Sequence, residues 1–539
     1  MELAELLFPD IKENIDDLEK RYPERKLAKG AKVVRLGPSP TGFIHLGNLY
    51  VAFLNRILAN RSKGVFFLRI EDTDNTRKVE GAVEMIIDKL KYFDITFDEG
   101  SIYGGEYSPY VQSERKYIYQ TVAKELVKIG KAYPSFLTEE ELSVIRKNQE
   151  ASKEQTGIYG KYATERELSL DTVKDNIASG KKWVLRLRSS GDTEKLVDFN
   201  DGIRGKIRVH ENDQDIVLLK VDGIPTYHFA HIVDDHLMRT THVLRGEEWL
   251  SSLPCHLELF KILGWTPPTY CHTPHLMKLD NGNKRKLSKR KDPELSLEYY
   301  ASEGYFPEAV KEYLMTLYQS DYEEWREKNP KSPMEDFDFS LDKMGFSGAL
   351  FDMDKLENIS KDVLLGLSAE KIFEFFKEWV EEFRKEDLNL IESHKEEIKK
   401  LFDIGRDDEK PRKDLVKCSQ IFDHISYYFD SHFKLEGELP KEVERAEAKE
   451  ILKVYLETLD LSDDKDGWFE KIKRIANERG YALKPKDYKK NPKDYKGSIS
   501  HISQVIRLAL TGRENSPDLY SIQKIMGYER VKKRLSEFS

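Results

Sequence analysis

Two hydrophobic rhythms alternate along this chain. Lys32 to Leu36 (KVVRL) is a short apolar run that reads as a buried strand. The next segment, Gly37-Pro38-Ser39-Pro40-Thr41-Gly42, holds two prolines and two glycines, which continue neither regular element and so predict a loop. From Leu46 onward, Leu46, Leu49, Phe53 and Ile57 recur at spacings of three and four, with Tyr50, Leu54 and Leu58 beside them. That spacing predicts a helix starting near His45. Val65 to Ile70 predicts a second strand, which runs into the acidic turn Glu71-Asp72-Thr73-Asp74. Strand, loop, helix and strand make the first half of a nucleotide-binding α/β fold.

Further along, Val79 to Phe93 reads as an amphipathic helix with Val83, Ile86, Ile87 and Leu90 on one side. Lys181 to Val221 is rich in strand pattern (KKWVLRLR, RGKIRVHE, DIVLLKVDG), with charges between the runs that suggest sheet faces wet on one side. Past about residue 300 the rhythm becomes helical. The charged segment from Tyr318 to Phe339 reads as a surface insertion, and Ala448, Ile451, Leu452, Tyr455 and Leu459 show one of many later apolar helix faces. No long-range repeat is present.

With 539 residues the chain has room for three or four domains of about 100–200 residues each. It is 39% hydrophobic, and no apolar run approaches the roughly 20 residues that span a bilayer. The acidic start, MELAELLFPDIKENIDDLEKRYPERK, fits neither a secretory signal nor an Arg-rich transit peptide, so a cytoplasmic protein is expected. Cys255, Cys271 and Cys418 give no CxxC pair, no metal-ligand spacing and no disulfide framework. A net charge of −9 neither supports nor excludes RNA, because a nucleic-acid footprint needs only a local basic surface.

The opening loop carries specific chemistry. A Gly/Pro loop feeding a helix start aims backbone N–H groups and the helix dipole at an anion. His45 stands at the mouth of that helix, where an imidazole can donate to a phosphate, and Gly47 lets a nucleotide approach the backbone.

The string GPSPTGFIHLGN followed by LRIEDTD resembles the "HIGH" signature block of class I aminoacyl-tRNA synthetases, in the form used by bacterial-type glutamyl-tRNA synthetases. Asn48 replaces the last His of the four-residue motif, and Gly37 stands where alanine is common. The basic loop LDNGNKRKLSKRKDP resembles the second class I signature, KMSKS, as Lys286-Leu287-Ser288-Lys289-Arg290. Lysines there can neutralise a triphosphate whose charge grows in the transition state. The block PTYHFAHIVDDH…RGEEWL, with His228, His231, Asp234, Asp235, His236 and His242, superficially invites a metal site. Its spacing matches no zinc pattern, and it resembles instead the family block that lines the amino-acid and ATP pockets.

The resemblance implies a class I Rossmann-type α/β catalytic domain at 31–115 and 206–300, interrupted by an acceptor-stem-binding insertion at 116–205. It further implies a helical stem-contact domain at 301–360 and an all-helical anticodon-binding region at 361–539. Residues 1–30 form an N-terminal extension without assigned function. His45 and Lys289 are the expected catalytic residues. Glutamate binding is expected of Arg35, Ser39, Glu71, Tyr227, His231 and Arg245. His231 stands where asparagine is frequent. ATP binding is expected of Pro38, Thr41, Gly42, His45, Gly47 and Asn48 on the first loop, and of Glu248, Trp249 and the segment Lys286, Leu287, Ser288, Lys289 and Arg290. The residues give independent support for the amino acid. A dicarboxylic substrate presents two carboxylates, arginine binds carboxylates bidentately, and Arg35 and Arg245 fall where they converge above a parallel sheet, with Glu71 available for the ammonium.

The implied reaction is ATP-dependent activation of L-glutamate, assisted by Mg²⁺, then transfer to tRNA(Glu) and, in non-discriminating enzymes, tRNA(Gln). Activation is expected to require bound tRNA, and a monomer is typical. Some relatives hold zinc in the insertion, but this chain lacks the cysteines for that site, so no zinc is expected. Arg115, Lys116, Tyr117 and Tyr119 either touch RNA or form a solvated helix face with buried tyrosines, and the basic loop 484–497 either touches tRNA or is a solvated connector. Four alternatives stand beside this reading. A glutaminyl-tRNA synthetase usually carries glutamate where Ser39 sits. A glutamyl-queuosine enzyme lacks the C-terminal helices. A catalytically inactive tRNA-binding paralogue would have lost His45, Lys289, Arg35 or Arg245. A small-molecule adenylyltransferase would not need the helical half.

Overall fold

Ahead of the first strand lie two short helices, α1 (Glu2–Leu7) and α2 (Ile15–Arg21), the latter closed by an Asn14–Asp17 capping box. The computed structural model describes residues 1–74 and 79–538, so Asn75 to Lys78, after the acidic turn, and Ser539 lie outside the described residues. The chain divides into two units, Met1–Tyr299 with Lys311–Asp352, and Tyr300–Val310 with Met353–Ser539.

In the first unit β1 (Val33–Leu36) leads through the Gly/Pro loop into α3 (Leu46–Ser62) and back into β2 (Val65–Leu68). β2 is shorter than its apolar run: the Arg69 N–H still donates to the Leu36 carbonyl at 3.0 Å, while Ile70 pairs with Val111 instead. α4 (Ala82–Lys91) buries Ala82, Ile86, Ile87 and Leu90, and β3 (Glu99–Gly100) completes a parallel ladder β1-β2-β3. After α5 (Lys116–Lys128) come β4 (Ala132–Ser135), α6 (Glu139–Ala151), α7 (Leu170–Ala178), β5 (Val184–Leu187), β6 (Leu196–Asp201), β7 (Gly205–His210) and β8 (Val217–Leu219). β4, β5 and β8 form an antiparallel sheet, while β6 and β7 form a hairpin whose exposed and covered positions alternate, so it is wet on one side.

The chain then returns to the core as α8 (Tyr227–Leu237), β9 (His242–Gly246), α9 (Leu253–Leu263) and β10 (Thr269–Thr273). β9 and β10 are parallel, and the Thr241 N–H donates to the Val33 carbonyl at 2.9 Å, which seats β9 against β1. The β1 and β9–β10 segments therefore present the carboxyl ends of their strands side by side, where open α/β sheets take ligands. β11 (Leu276–Asp280) and β12 (Asn283–Lys286) form the hairpin that carries the second signature, with β13 (Ala349–Leu350) beside β11.

The N-terminal helices are fastened to this unit. Lys124 on α5 donates to the carbonyls of Phe8 and Ile11 at 3.2 and 2.7 Å, and Arg25 grips both oxygens of Glu99 at 2.6 and 2.9 Å over the Tyr107 ring. Two readings need correction. Arg115 and Tyr119 cannot serve as RNA contacts, because both are fully buried, donating to Asp234 at 2.7 and 2.8 Å. The segment from Tyr318 to Phe339 is not a plain surface insertion either. Tyr322, Trp325 and Phe337 pack edge-on and tilted against one another, Tyr318 donates to the Tyr50 carbonyl at 2.6 Å, and charge at the remaining positions disguised this apolar content.

The second unit is helical, from Met353–Gly366 and Ala369–Phe383 to Ile499–Thr511 and Leu519–Glu537, around a core that includes Phe376, Phe402, Phe422, Ile472 and Ile506. The helix Arg445–Glu457 buries Ala448, Ile451, Leu452 and Tyr455, with Trp468 donating to the Tyr455 hydroxyl at 2.8 Å. Among the described residues no helix is long and apolar enough to cross a membrane.

Candidate active site

A cleft of about 300 Å³ opens at the carboxyl ends of β1, β9 and β10. Its walls come from both signature blocks and from the returning strands. Arg35, His45, Gly47, Asn48, Glu71, Tyr227, Arg245, Glu248, Trp249, Lys286 and Leu287 line it, as the sequence expects. Gly37, Thr273, Pro274 and His275 also line it and were not anticipated. Pro38, Ser39, Thr41, Gly42, His231, Ser288, Lys289 and Arg290 do not line it; Ser39 and Thr41 are exposed on the loop, and His231 is fully buried behind the wall.

His45 is the N-cap of α3. The Asn48 N–H donates to His45 Nδ1 at 3.3 Å, and the Asn48 side-chain oxygen accepts from the His45 N–H at 3.0 Å. Asn48 thus has a local reason to replace the last histidine of the motif: it closes a capping box. Burial, and then Lys286, push the His45 pKa down, so the ring is neutral near pH 7. With Nδ1 accepting, the ring hydrogen sits on Nε2, ready to donate to an anion. Gly47 protects this arrangement, because a Cβ there would stand 3.0 Å from the His45 Cε1 and Nδ1.

The two arginines differ in their partners. Arg35 reaches Asp235 at 3.3 Å, and Asp235 also takes Arg69 at 2.6 Å and His231 at 2.7 Å. Burial alone would raise Asp235, but Arg35 and Arg69 hold it well below the usual carboxylate range. Burial drives His231 down to about 3, so it is neutral, joined through Nδ1 to Asp235 and through Nε2 to the Tyr270 hydroxyl at 2.9 Å. Arg35 is therefore already neutralised.

Arg245 has no such partner. It is 5% exposed, its Nε donates to His272 Nε2 at 3.0 Å, its Nη1 donates to His256 Nδ1 at 3.2 Å, and its Nη2 is buried without a hydrogen bond. Among the described residues no carboxylate forms an ion pair with it. His272 is the cross-strand neighbour of Arg245, and its Nδ1 donates to Asp201 at 2.6 Å. Burial raises Asp201, but its bonds to His272 and to the Arg204 and Ile203 N–H groups hold it below its ordinary value. Two neutral imidazoles thus fix a buried guanidinium without cancelling its charge, and an orphaned buried donor is costly until an acceptor arrives. A ligand carboxylate is the acceptor that fits.

Glu71 is bound to Arg69 at 2.9 Å, and burial raises its pKa. Its carboxylate lies against Gly37, where a Cβ would stand 2.2 Å from Glu71 Oε1. Tyr227, at the first turn of α8, packs on Trp249 with ring centroids 4.2 Å apart. On the second signature, Arg285 holds Asp292 through two bonds of 2.6 and 2.8 Å, and the Ser288 N–H donates to Asp292 at 2.8 Å, which folds the KLSKR segment into a defined turn. Lys289 is exposed outside the cleft, with its Nζ 3.9 Å from the centre of the Phe43 ring, itself 6.0 Å from the His45 ring.

The chain is similar to known proteins along nearly its whole length. Residues 32–357 match the family of class I tRNA synthetases (E and Q), catalytic domain, and residues 489–538 match an anticodon-binding domain. The glutamate–tRNA ligase of Acetivibrio thermocellus is 58% identical over 537 residues, covering 99% of this chain and 98% of that protein. The glutamate–tRNA ligase of Clostridium perfringens is 46% identical over 99% of both chains. Among solved structures, a glutamate–tRNA ligase from Elizabethkingia meningosepticum, crystallised with its amino acid, superimposes with a TM-score of 0.75 at 28% identity, covering 94% of this chain and 99% of that one. The chain belongs to the class I aminoacyl-tRNA synthetases, in the glutamate–tRNA ligase family.

Proposed function

We propose that this cleft forms glutamyl-adenylate, and that Arg245 is the residue that selects glutamate. The supporting observation is the buried, unpartnered Nη2 of Arg245 among neutral imidazoles. In this reading the side-chain carboxylate of L-glutamate accepts from Arg245, Tyr227 flanks it, and Arg35 and Glu71 orient the amino-acid head group. The α-carboxylate attacks the α-phosphate of ATP and pyrophosphate leaves. His45 Nε2–H and Lys289 stabilise the charge that builds on the phosphates, Lys289 swinging from Phe43 into the cleft. The 3′-terminal ribose hydroxyl of tRNA then takes the glutamyl group and AMP leaves.

ATP is a substrate of this family. Of the carboxylates on the cleft wall, Glu71 is committed to Arg69 while Glu248 is exposed, so Glu248 is the residue that would hold a Mg²⁺ carried in by the triphosphate. That ion would supply charge neutralisation. The same reading assigns the insertion at 116–205 to the acceptor stem and the helices of 361–539 to the anticodon of tRNA(Glu), with tRNA(Gln) as a second acceptor if recognition is non-discriminating. It describes a cytoplasmic monomer.

The test is pyrophosphate exchange into ATP with glutamate or glutamine, each with and without tRNA. Exchange that requires both glutamate and tRNA is expected. Exchange with glutamine would move the chain to the sister activity, and no exchange at all would make it an inactive tRNA-binding relative.

A further inference from the structure

Behind the Arg245 side of the cleft lies a side-chain cluster of which the adenylation site uses only His256, as a support for Arg245. His228 is the second residue of α8, and Cys255 and His256 are the third and fourth of α9. One donor atom from each lies within 4.8 Å of the others. His228 Nδ1 stands 3.1 Å from His256 Nε2 and 3.9 Å from Cys255 Sγ. Tetrahedral ligands at ordinary zinc–nitrogen and zinc–sulfur bond lengths stand about 3.4 Å apart, near both distances from His228, so the group suits a three-ligand site with a fourth position open. His228 is half-buried, which leaves an entry, whereas Cys255 and His256 are buried. Pattern reading could not find this group, because its members sit on two helices and share no motif.

We propose that His228, Cys255 and His256 bind a soft divalent cation such as Zn²⁺, and that the bound cation withdraws His256 from Arg245.

The coupling follows from the protons. Arg245 only donates, so His256 Nδ1 accepts from it and the ring hydrogen of neutral His256 is on Nε2, facing the lone pair of His228 Nδ1. A metal at His256 Nε2 needs that lone pair, so the hydrogen must move to Nδ1. There it meets the Arg245 Nη1 hydrogen, donor against donor, and the bond that positions Arg245 is lost. The Cys255 thiol, which contacts the Ser252 carbonyl at 3.0 Å, releases its proton to solvent and enters as thiolate. One cation is gained and one proton is lost, with no redox change. Since Arg245 must move when metal binds, glutamate and metal oppose each other reciprocally. This last step rests on Arg245 being the glutamate seat; the metal site itself does not.

The test is titration of the full-length, metal-free enzyme with Co²⁺, followed by the thiolate-to-cobalt charge-transfer absorption. One cobalt per chain with this band is expected. The band should vanish in Cys255→Ser, a variant whose metal-free pyrophosphate exchange should stay unchanged. Saturating L-glutamate should weaken cobalt binding about tenfold beyond D-glutamate, which chelates free cobalt equally. Absence of the band, or its persistence in Cys255→Ser, overturns the site. A band affected equally by both enantiomers, in enzyme that exchanges pyrophosphate with L-glutamate, overturns the coupling and leaves the proposed function standing.

Discussion

Arg245 donates its Nε–H to His272 Nε2 at 3.0 Å across adjacent parallel strands. The pairing sets the character of the cleft, because an imidazole can hold a guanidinium in place without removing its charge, which a carboxylate in the same position would do. Asp201, at the end of β6, acts one step back: it takes the His272 Nδ1 hydrogen and so keeps Nε2 as the acceptor. The β6–β7 hairpin thereby helps to position a cleft residue.

His272→Leu removes this acceptor and lets the buried Asp201 compete for Arg245. The KM for glutamate is expected to rise about 10- to 100-fold, the equivalent of about 1.5–3 kcal/mol for a hydrogen bond to a charged group, with the KM for ATP unchanged. Steady-state kinetics in both substrates checks this, and an equal rise in both KM values would reduce His272 to a fold-supporting residue.

Gly47→Ala separates stability from activity. Alanine is better than glycine inside a helix by about 1 kcal/mol, but its Cβ would press on the His45 ring 3.0 Å away. Thermal stability should hold or rise while adenylate formation falls. Retained activity with a raised melting temperature would show that the orientation of His45 is not needed.

Lys289→Ala should slow adenylate formation by about 10²- to 10³-fold, the usual effect of removing a charge-stabilising donor, while tRNA binding stays nearly intact. Rapid-quench measurement beside a tRNA-binding assay distinguishes the outcomes, since equal loss in both would make the KLSKR segment mainly an RNA contact.

Much of the first signature was legible because its chemistry is local. The Gly/Pro loop, the helix start at His45 and the acidic turn each follow from neighbours in sequence. What holds Arg245 was not legible, since His256, His272 and Asp201 arrive from segments distant in sequence and only the parallel register brings them together. The strand Leu196–Asp201 escaped notice because Asp198, Asn200 and Asp201, poor strand formers, take three of its six positions. Arg115, just before α5, and Tyr119 looked like surface residues because nothing in their own segment announces the buried Asp234 that receives them.

Stability should fall with acid before any carboxylate needs to titrate. Burial holds His231 at about 3 and His242 at about 4, and it also lowers His256 and His272, whereas an unfolded chain carries histidines near 6.5. Below about pH 6.5 the unfolded chain binds protons that the folded chain refuses, so the free energy of unfolding drops as pH falls from about 6.5 toward 4. Glu71, raised by burial, opposes this with a single group. Calorimetry across that window should show a steadily lower melting temperature, and a flat profile would contradict the neutral imidazole cluster.

The most direct test of Arg245 as the glutamate seat is pyrophosphate exchange by Arg245→Gln, with glutamate and glutamine each in the presence of tRNA. Loss of a buried charge-paired hydrogen bond costs about 2–5 kcal/mol, so kcat/KM for glutamate should fall by roughly 30-fold or more. Glutamine, whose amide needs no cation, should be discriminated against far less than in the natural enzyme, and the KM for ATP should stay unchanged. Unaltered glutamate dependence, or unaltered preference for glutamate over glutamine, would contradict the account.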